Sequence, residues 1–159
     1  VYVWHCDADG GYSMYSNGIE NETYLRGVQV SDASGVVTFT SIIPACYTGR
    51  WPHIHFEVYP DAAAMTDAAN AIATSQVALP QDVCSTVYAL PAYSGSARNL
   101  AQVSLASDNV FGDDAGALQL AAVTGDTTSG YVVSLTARVD TTTTPAAGAA
   151  PGGVSPRRP

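Results

Sequence analysis

The chain has 159 residues, enough for one domain with a sizeable core and too few to expect two. Its formal net charge is −8, and all six basic residues are arginines, two of them in the last three positions; with no basic stripe to neutralise a phosphate backbone, nucleic acid is not an expected partner. Apolar residues make up 47% of the chain, yet no apolar run approaches the ~20 residues that cross a bilayer, so no membrane role is expected.

Gly, Thr, Ser and Val are frequent and turn residues are scattered, which predicts a mostly β fold. Val1 to Cys6 alternates Val1, Val3 and His5 with Tyr2, Trp4 and Cys6, as a strand does. The chain thus opens in mid-strand without a starting methionine, and a preceding segment, with room for a signal peptide, is expected. Asp7 to Glu22 is a long loop rich in Gly, Ser, Asp and Asn. Leu25 to Ser31, the turn residues Asp32 to Gly35, and the β-branched run Val36 to Thr40 together predict a hairpin.

Pro44 ends that pairing, and Ala45 to Pro52 forms a loop leading into a strand from His53 to Tyr59. Asp61 to Thr74 is Ala-rich, a helix or an irregular excursion; Gln76 to Leu79 is a short strand, and Pro80 to Asp82 starts a short helix through Leu90. Ala117 to Val123 and Tyr131 to Val139 are two further strands around a turn-rich Thr124 to Gly130. The expectation is a two-sheet β-sandwich with long active-site loops and one or two short helices over residues 1–139, with residues 140–159 as a flexible Thr/Pro/Gly-rich tail or linker. Three cysteines allow at most one internal disulfide and match no zinc-ribbon or CxxC spacing, which leaves the redox compartment open.

His53 and His55 are one residue apart on a predicted strand, so both imidazoles leave the same face and can meet one metal ion. The plain alternative is a strand with a polar outer face. Tyr47 and Arg50 stand six and three residues earlier in the loop, a phenol able to turn back over the strand and a cation able to act on it or on an anionic substrate. Glu57 continues the histidine face and would complete a two-His-one-carboxylate triad; His5 is a further candidate ligand.

The segment Pro44-Ala45-Cys46-Tyr47-Thr48-Gly49-Arg50-Trp51-Pro52-His53-Ile54-His55 resembles the Pro-Gly-x-Tyr…Arg-x-x-His-x-His signature of intradiol ring-cleavage dioxygenases. Trp4 to Tyr12 resembles that family's other motif, a Trp followed eight residues later by a second tyrosinate, and Tyr24 to Phe39 resembles its intervening hairpin. The resemblance departs at Ala45, where the family has glycine, at Cys46, where many members have an aromatic, and in the strands that precede the Trp4 motif, which are expected to lie outside this sequence.

The resemblance implies a non-haem Fe(III) centre on Tyr12, Tyr47, His53 and His55, with Tyr47 the axial ligand that substrate displaces and the general base. It implies Arg50 and Gln76 as the substrate-contacting pair, Arg50 also acting catalytically, and a catechol-type ring opened with O2 to a muconate-type diacid. Similarity is greatest to a single-domain branch many of whose members are exported, so a secreted protein is expected, with the cytoplasm as the alternative. A non-catalytic prealbumin-like β-sandwich binding module, its His-x-His strand mere surface decoration, is the competing expectation. Neither the preferred catechol nor the oligomeric state is legible.

Overall fold

The computed structural model describes residues 1–144; the expected tail therefore falls mostly outside the described residues. Among the described residues six strands form two antiparallel sheets. The larger has the order β2-β1-β3-β4, from Tyr2–Trp4 (β1), Arg26–Val28 (β2), His53–Val58 (β3) and Ala73–Ala78 (β4). The smaller is the hairpin of Ala122–Asp126 (β5) and Gly130–Ser134 (β6). Two short helices, Gln81–Val87 (α1) and Ser96–Leu100 (α2), lie between the sheets in sequence, with 3-10 turns at Ala63–Thr66, Ala68–Asn70, Pro91–Tyr93 and Leu105–Ser107. The mostly β, two-sheet expectation holds. Among the described residues no helix is long and apolar enough to cross a membrane.

β3 is the central element because its alternation serves both faces: His53, His55 and Glu57 leave one side, Ile54, Phe56 and Val58 the other. Residues directly opposite in an antiparallel ladder share a face. Register places Trp4 opposite His55 on one side and Gln76 opposite it on the other, so these three form a row across β1, β3 and β4. The second sheet is tied to the first by a parallel bridge from Ala78 to Leu120, with Ala78 N donating to Gln119 O at 2.8 Å and Ala121 N to Ala78 O at 2.9 Å. Its turn needs Gly125 at φ +103°, where a Cβ would stand 2.1 Å from the Gly130 carbonyl oxygen.

The predicted hairpin is corrected. Its turn forms, Gly35 N donating to Asp32 O at 2.9 Å and Asp32 Oδ1 accepting from Ser34 N and Val36 N. Residues 36–40, however, join no ladder among the described residues. Tertiary packing overrides their strand propensity: β2 pairs with β1, and the Phe39 ring lies on Gly27, 3.3 Å from where a Cβ would sit. Ser41 is drawn to His5 at 2.7 Å. Two further shifts are smaller. Ala117 to Ala121 is turn and bridge where a strand was expected, because β5 begins only at Ala122; and Asp61 to Asn70 resolves into two 3-10 turns, the second capped by Asp67.

The apolar core lies between the loop 43–52 and the helical segment, uniting Cys6, Cys46, Trp51, Leu79, Cys84, Val87, Tyr88, Leu100 and Phe111. Leu79 is fully buried, its N–H on Pro52 O and its carbonyl receiving Trp51 Nε1. Leu79→Ala removes side-chain volume that these fixed neighbours cannot refill. Urea titration is expected to show a loss of about 3 kcal/mol, and melting temperature a fall of roughly 6–12 °C. A loss under about 1 kcal/mol would mean that the core here is loosely packed.

Candidate metal centre

Four side chains meet at one point. Tyr12 Oη lies 3.4 Å from Tyr47 Oη, 3.3 Å from His53 Nε2 and 3.3 Å from His55 Nε2. Tyr47 Oη is 3.3 Å from His53 Nε2, and the two histidine Nε2 atoms are 3.1 Å apart. An ion held at about 2.0–2.2 Å by nitrogen and oxygen spaces its neighbouring donors roughly 3–3.5 Å apart, so this spacing fits a single metal ion.

The histidines come from β3 by its period of two. His53 is 2% exposed and donates Nδ1–H to Trp51 O at 2.5 Å, which leaves the Nε2 lone pair facing the cluster. The His55 ring stacks on Trp4 at 4.6 Å and 5°. Burial first, and then the nearby Arg50 guanidinium, push the His53 pKa down to about 4; burial and His53 push that of His55 down to about 2. Both rings are neutral at physiological pH.

Tyr12 is set by the loop after β1. Asp7 Oδ1 accepts from Asp9 N and Gly11 N, and Gly10, at φ +90°, passes so close that a Cβ would stand 3.2 Å from Tyr47 Cβ. Arg26 ties the loop to the sheet, donating from Nε to Ser13 Oγ, from Nη2 to Ser13 O and from Nη1 to Tyr2 Oη, with its guanidinium over the Tyr15 ring. Burial, and then Tyr47, raise the Tyr12 pKa above the usual phenol range. Burial likewise raises Tyr47, partly offset by Tyr12 and Arg50. Without a cation both are neutral phenols, and a strongly charged ion is what would turn them into phenolates.

Among the described residues no group of three or more His, Cys, Asp or Glu gathers where it could hold a metal ion. Glu57 accepts from Tyr59 Oη at 2.5 Å and does not complete a triad with the histidines. His5 has both ring nitrogens engaged, with Cys6 O and Ser41 Oγ, each at 2.7 Å. The donors that remain, two neutral imidazoles and two phenols, suit a hard ferric ion. His53, being buried, is not surface decoration.

Beside this cluster Arg50, 9% exposed, donates from Nε to Asp108 Oδ2 at 3.0 Å and from Nη2 to Gln76 Oε1 at 2.6 Å. Gln76 is 1% exposed, and its Nε2 has no hydrogen-bond partner among the described residues. An orphaned buried amide N–H2 is costly unless something that accepts a hydrogen bond comes to it.

No protein-family model and no curated protein matches the chain. Solved structures do. An intradiol ring-cleavage dioxygenase from Tetranychus urticae matches with a TM-score of 0.70 at 22% identity, over 89% of this chain and 70% of that one. A second solved structure, of a dioxygenase, matches with a TM-score of 0.72 at 21% identity, again over 89% and 70%. This chain has the fold of an intradiol ring-cleavage dioxygenase.

In this intradiol fold the segment from α1 to α2 holds the Tyr47 loop, a role that no local pattern announced. Tyr88 Oη donates to Pro44 O at 2.7 Å, Tyr93 Oη to Ile43 O at 2.8 Å, Asn99 Nδ2 to Cys46 O at 2.8 Å, and Ser96 Oγ accepts from Cys46 N at 3.1 Å. Pro44 and Pro52 contribute no N–H at the buried ends of this loop, so fewer donors need partners there. Ala45 sits without strain: among the described residues the non-glycine positions at positive φ are Met14, Leu25 and Ala115. Cys46 fills core space and donates Sγ–H to Arg50 O. Cys6, Cys46 and Cys84 are free and buried, and burial pushes their thiols up to about 12, 11 and 12. Such thiols are inert. Sequence reasoning missed Asp108 altogether; its one signal is an acid beside the apolar pair Val110-Phe111.

Proposed function

We propose that the protein is a non-haem Fe(III) intradiol dioxygenase that opens a catechol-type ring between its two hydroxylated carbons, using O2, to give a muconate-type diacid. The observation that carries this reading is the convergence of Tyr12, Tyr47, His53 and His55, with Tyr12 Oη and His53 Nε2 each within 3.1–3.4 Å of the other three donor atoms. Tyr12, Tyr47, His53 and His55 would hold the iron. When bound there, ferric iron supplies a Lewis acid for a catecholate and favours activation of the ring over direct binding of dioxygen.

The chain's own groups supply the rest. Tyr47 Oη, once a bound ferric ion had made it a phenolate, would be the base that takes the proton a catechol hydroxyl gives up, and burial, which raises its pKa, favours its keeping that proton. Arg50 is oriented to stabilise negative charge that develops on the ring and its oxygens. Gln76 Nε2 offers the further donor that such an oxygen needs. The burial of His53, Gln76 and Arg50 keeps water from screening these contacts. Export from the cell stands as part of the proposal, and residues 140–159 as its linker or tail.

Regiochemistry tests this. Ferric-loaded protein given catechol and O2 should be red-brown and yield cis,cis-muconate. A yellow semialdehyde as main product, or a colourless protein after ferric loading, would sink the reading; the latter would favour the binding module.

A further inference from the structure

Asp108 is a buried charge for which the proposed reaction names no use. It is 2% exposed and lies just past the Leu105–Ser107 turn, 58 positions along the chain from Arg50. Four N–H groups converge on it. Oδ1 accepts from Val110 N at 2.8 Å and Phe111 N at 3.2 Å; Oδ2 accepts from Trp51 N at 2.7 Å and Arg50 Nε at 3.0 Å. Three backbone donors therefore fix the plane of the carboxylate, and the guanidinium must follow it. Burial alone would raise the carboxyl's pKa, but the Trp51 and Val110 N–H groups and Arg50 hold it below the usual range.

A guanidinium is a rigid planar fork of five N–H groups. With Nε on Asp108, the direction of both Nη atoms is set, and Nη2 reaches Gln76 Oε1 at 2.6 Å. That contact decides which way the amide of Gln76 faces. Its oxygen is taken by Arg50, so its N–H2 turns away, unpartnered among the described residues, on the β4 residue directly opposite His55. The Arg50–Gln76 pair consequently leaves the amide N–H2 as its unused donor.

We propose that Asp108 is a positioning residue for the ring-cleaving reaction: it locks the Arg50 guanidinium in the plane that orients Gln76, so that both present N–H donors to an anionic substrate oxygen. This rests on the dioxygenase reading above. The alternative is a carboxylate that only ties the 104–111 segment to Trp51, and the two differ in whether its effect passes through Arg50.

A double-mutant cycle separates them, with wild type, Asp108→Asn, Arg50→Met and the double variant each ferric-loaded. Asp108→Asn is expected to lower kcat for catechol about 10²-fold with the visible absorption band unchanged. In the Arg50→Met background the same change should cost less than about threefold, since the residue it acts through is gone. A catecholate probe, 4-nitrocatechol, titrated by its spectral shift, should bind roughly tenfold more weakly to both single variants, and the double variant should bind no more weakly than either. Equal losses in both backgrounds, or a kcat for Asp108→Asn within about twofold of wild type, overturn the proposal.

Because an amide at position 108 sets an N–H2 against N–H donors, that variant can fail to fold. Arg50→Lys tests the same claim without touching Asp108. An ammonium keeps the charge but has no planar fork, so kcat should again fall about 10²-fold while iron and melting temperature are kept. Wild-type turnover in Arg50→Lys overturns the proposal. A wild-type protein that is active while the cycle is additive refutes Asp108 alone; a colourless wild type without ring-opened product refutes the dioxygenase reading and this proposal with it.

Discussion

Neither His53→Ala nor His55→Ala protein should retain stoichiometric iron after ferric loading. Each change removes one of four converging donors, each of them 3.1–3.4 Å from at least two of the others, and the remaining three cannot close the set. Loss of an outer-shell partner already costs about 10–100-fold in metal affinity, so loss of a direct donor should cost at least roughly 10²-fold. Elemental analysis and the visible band read the outcome. The two variants should differ in stability. His53→Ala leaves Trp51 O without its buried N–H partner, a penalty of about 1–3 kcal/mol. His55→Ala loses mainly the stack with Trp4, about 0.5–1.5 kcal/mol. Full iron occupancy with an unchanged band in both variants would show that the cluster is not the metal centre.

Arg50→Ala should behave in the opposite manner, keeping iron and colour while losing turnover. None of the four converging donor atoms belongs to Arg50; its bonds run to Asp108 and Gln76. A drop in kcat of about 10²–10³-fold is expected, the scale on which removing one preorganised charge-stabilising donor acts. Stability should fall as well, because one partner of a buried ion pair is gone, though Asp108 keeps three backbone donors and the fold should persist. Stopped-flow or steady-state oxygen uptake at saturating catechol is the deciding measurement. Equal kcat in the variant would remove Arg50 from the chemistry.

What was legible beforehand was whatever the chain encodes over a few residues. The period of two places His53 and His55 on one face in any strand, so their convergence needed no knowledge of the fold. Turn chemistry at 32–35 and the helix start at Pro80 are equally local, and each appears where it was expected. The mostly β class followed from composition and alternation.

What only the tertiary structure decided depends on partners far along the chain. Asp108 reaches Arg50 across 58 positions, and Tyr88 reaches Pro44 across 44; neither pairing has a local signature, because packing, not propensity, brings these groups together. Residues 36–40 show the converse. Their β-branched run reads as a strand, but Phe39 on Gly27 and Ser41 on His5 offer the segment a packed alternative to the ladder, and packing wins. Sequence alone thus put His53 and His55 on one face, and the resemblance named Tyr12 and Tyr47 as the side chains that would join them. The tertiary structure decided how they are held, since burial, orphaned donors and the orientation of Arg50 and Gln76 arise only when distant segments close around them.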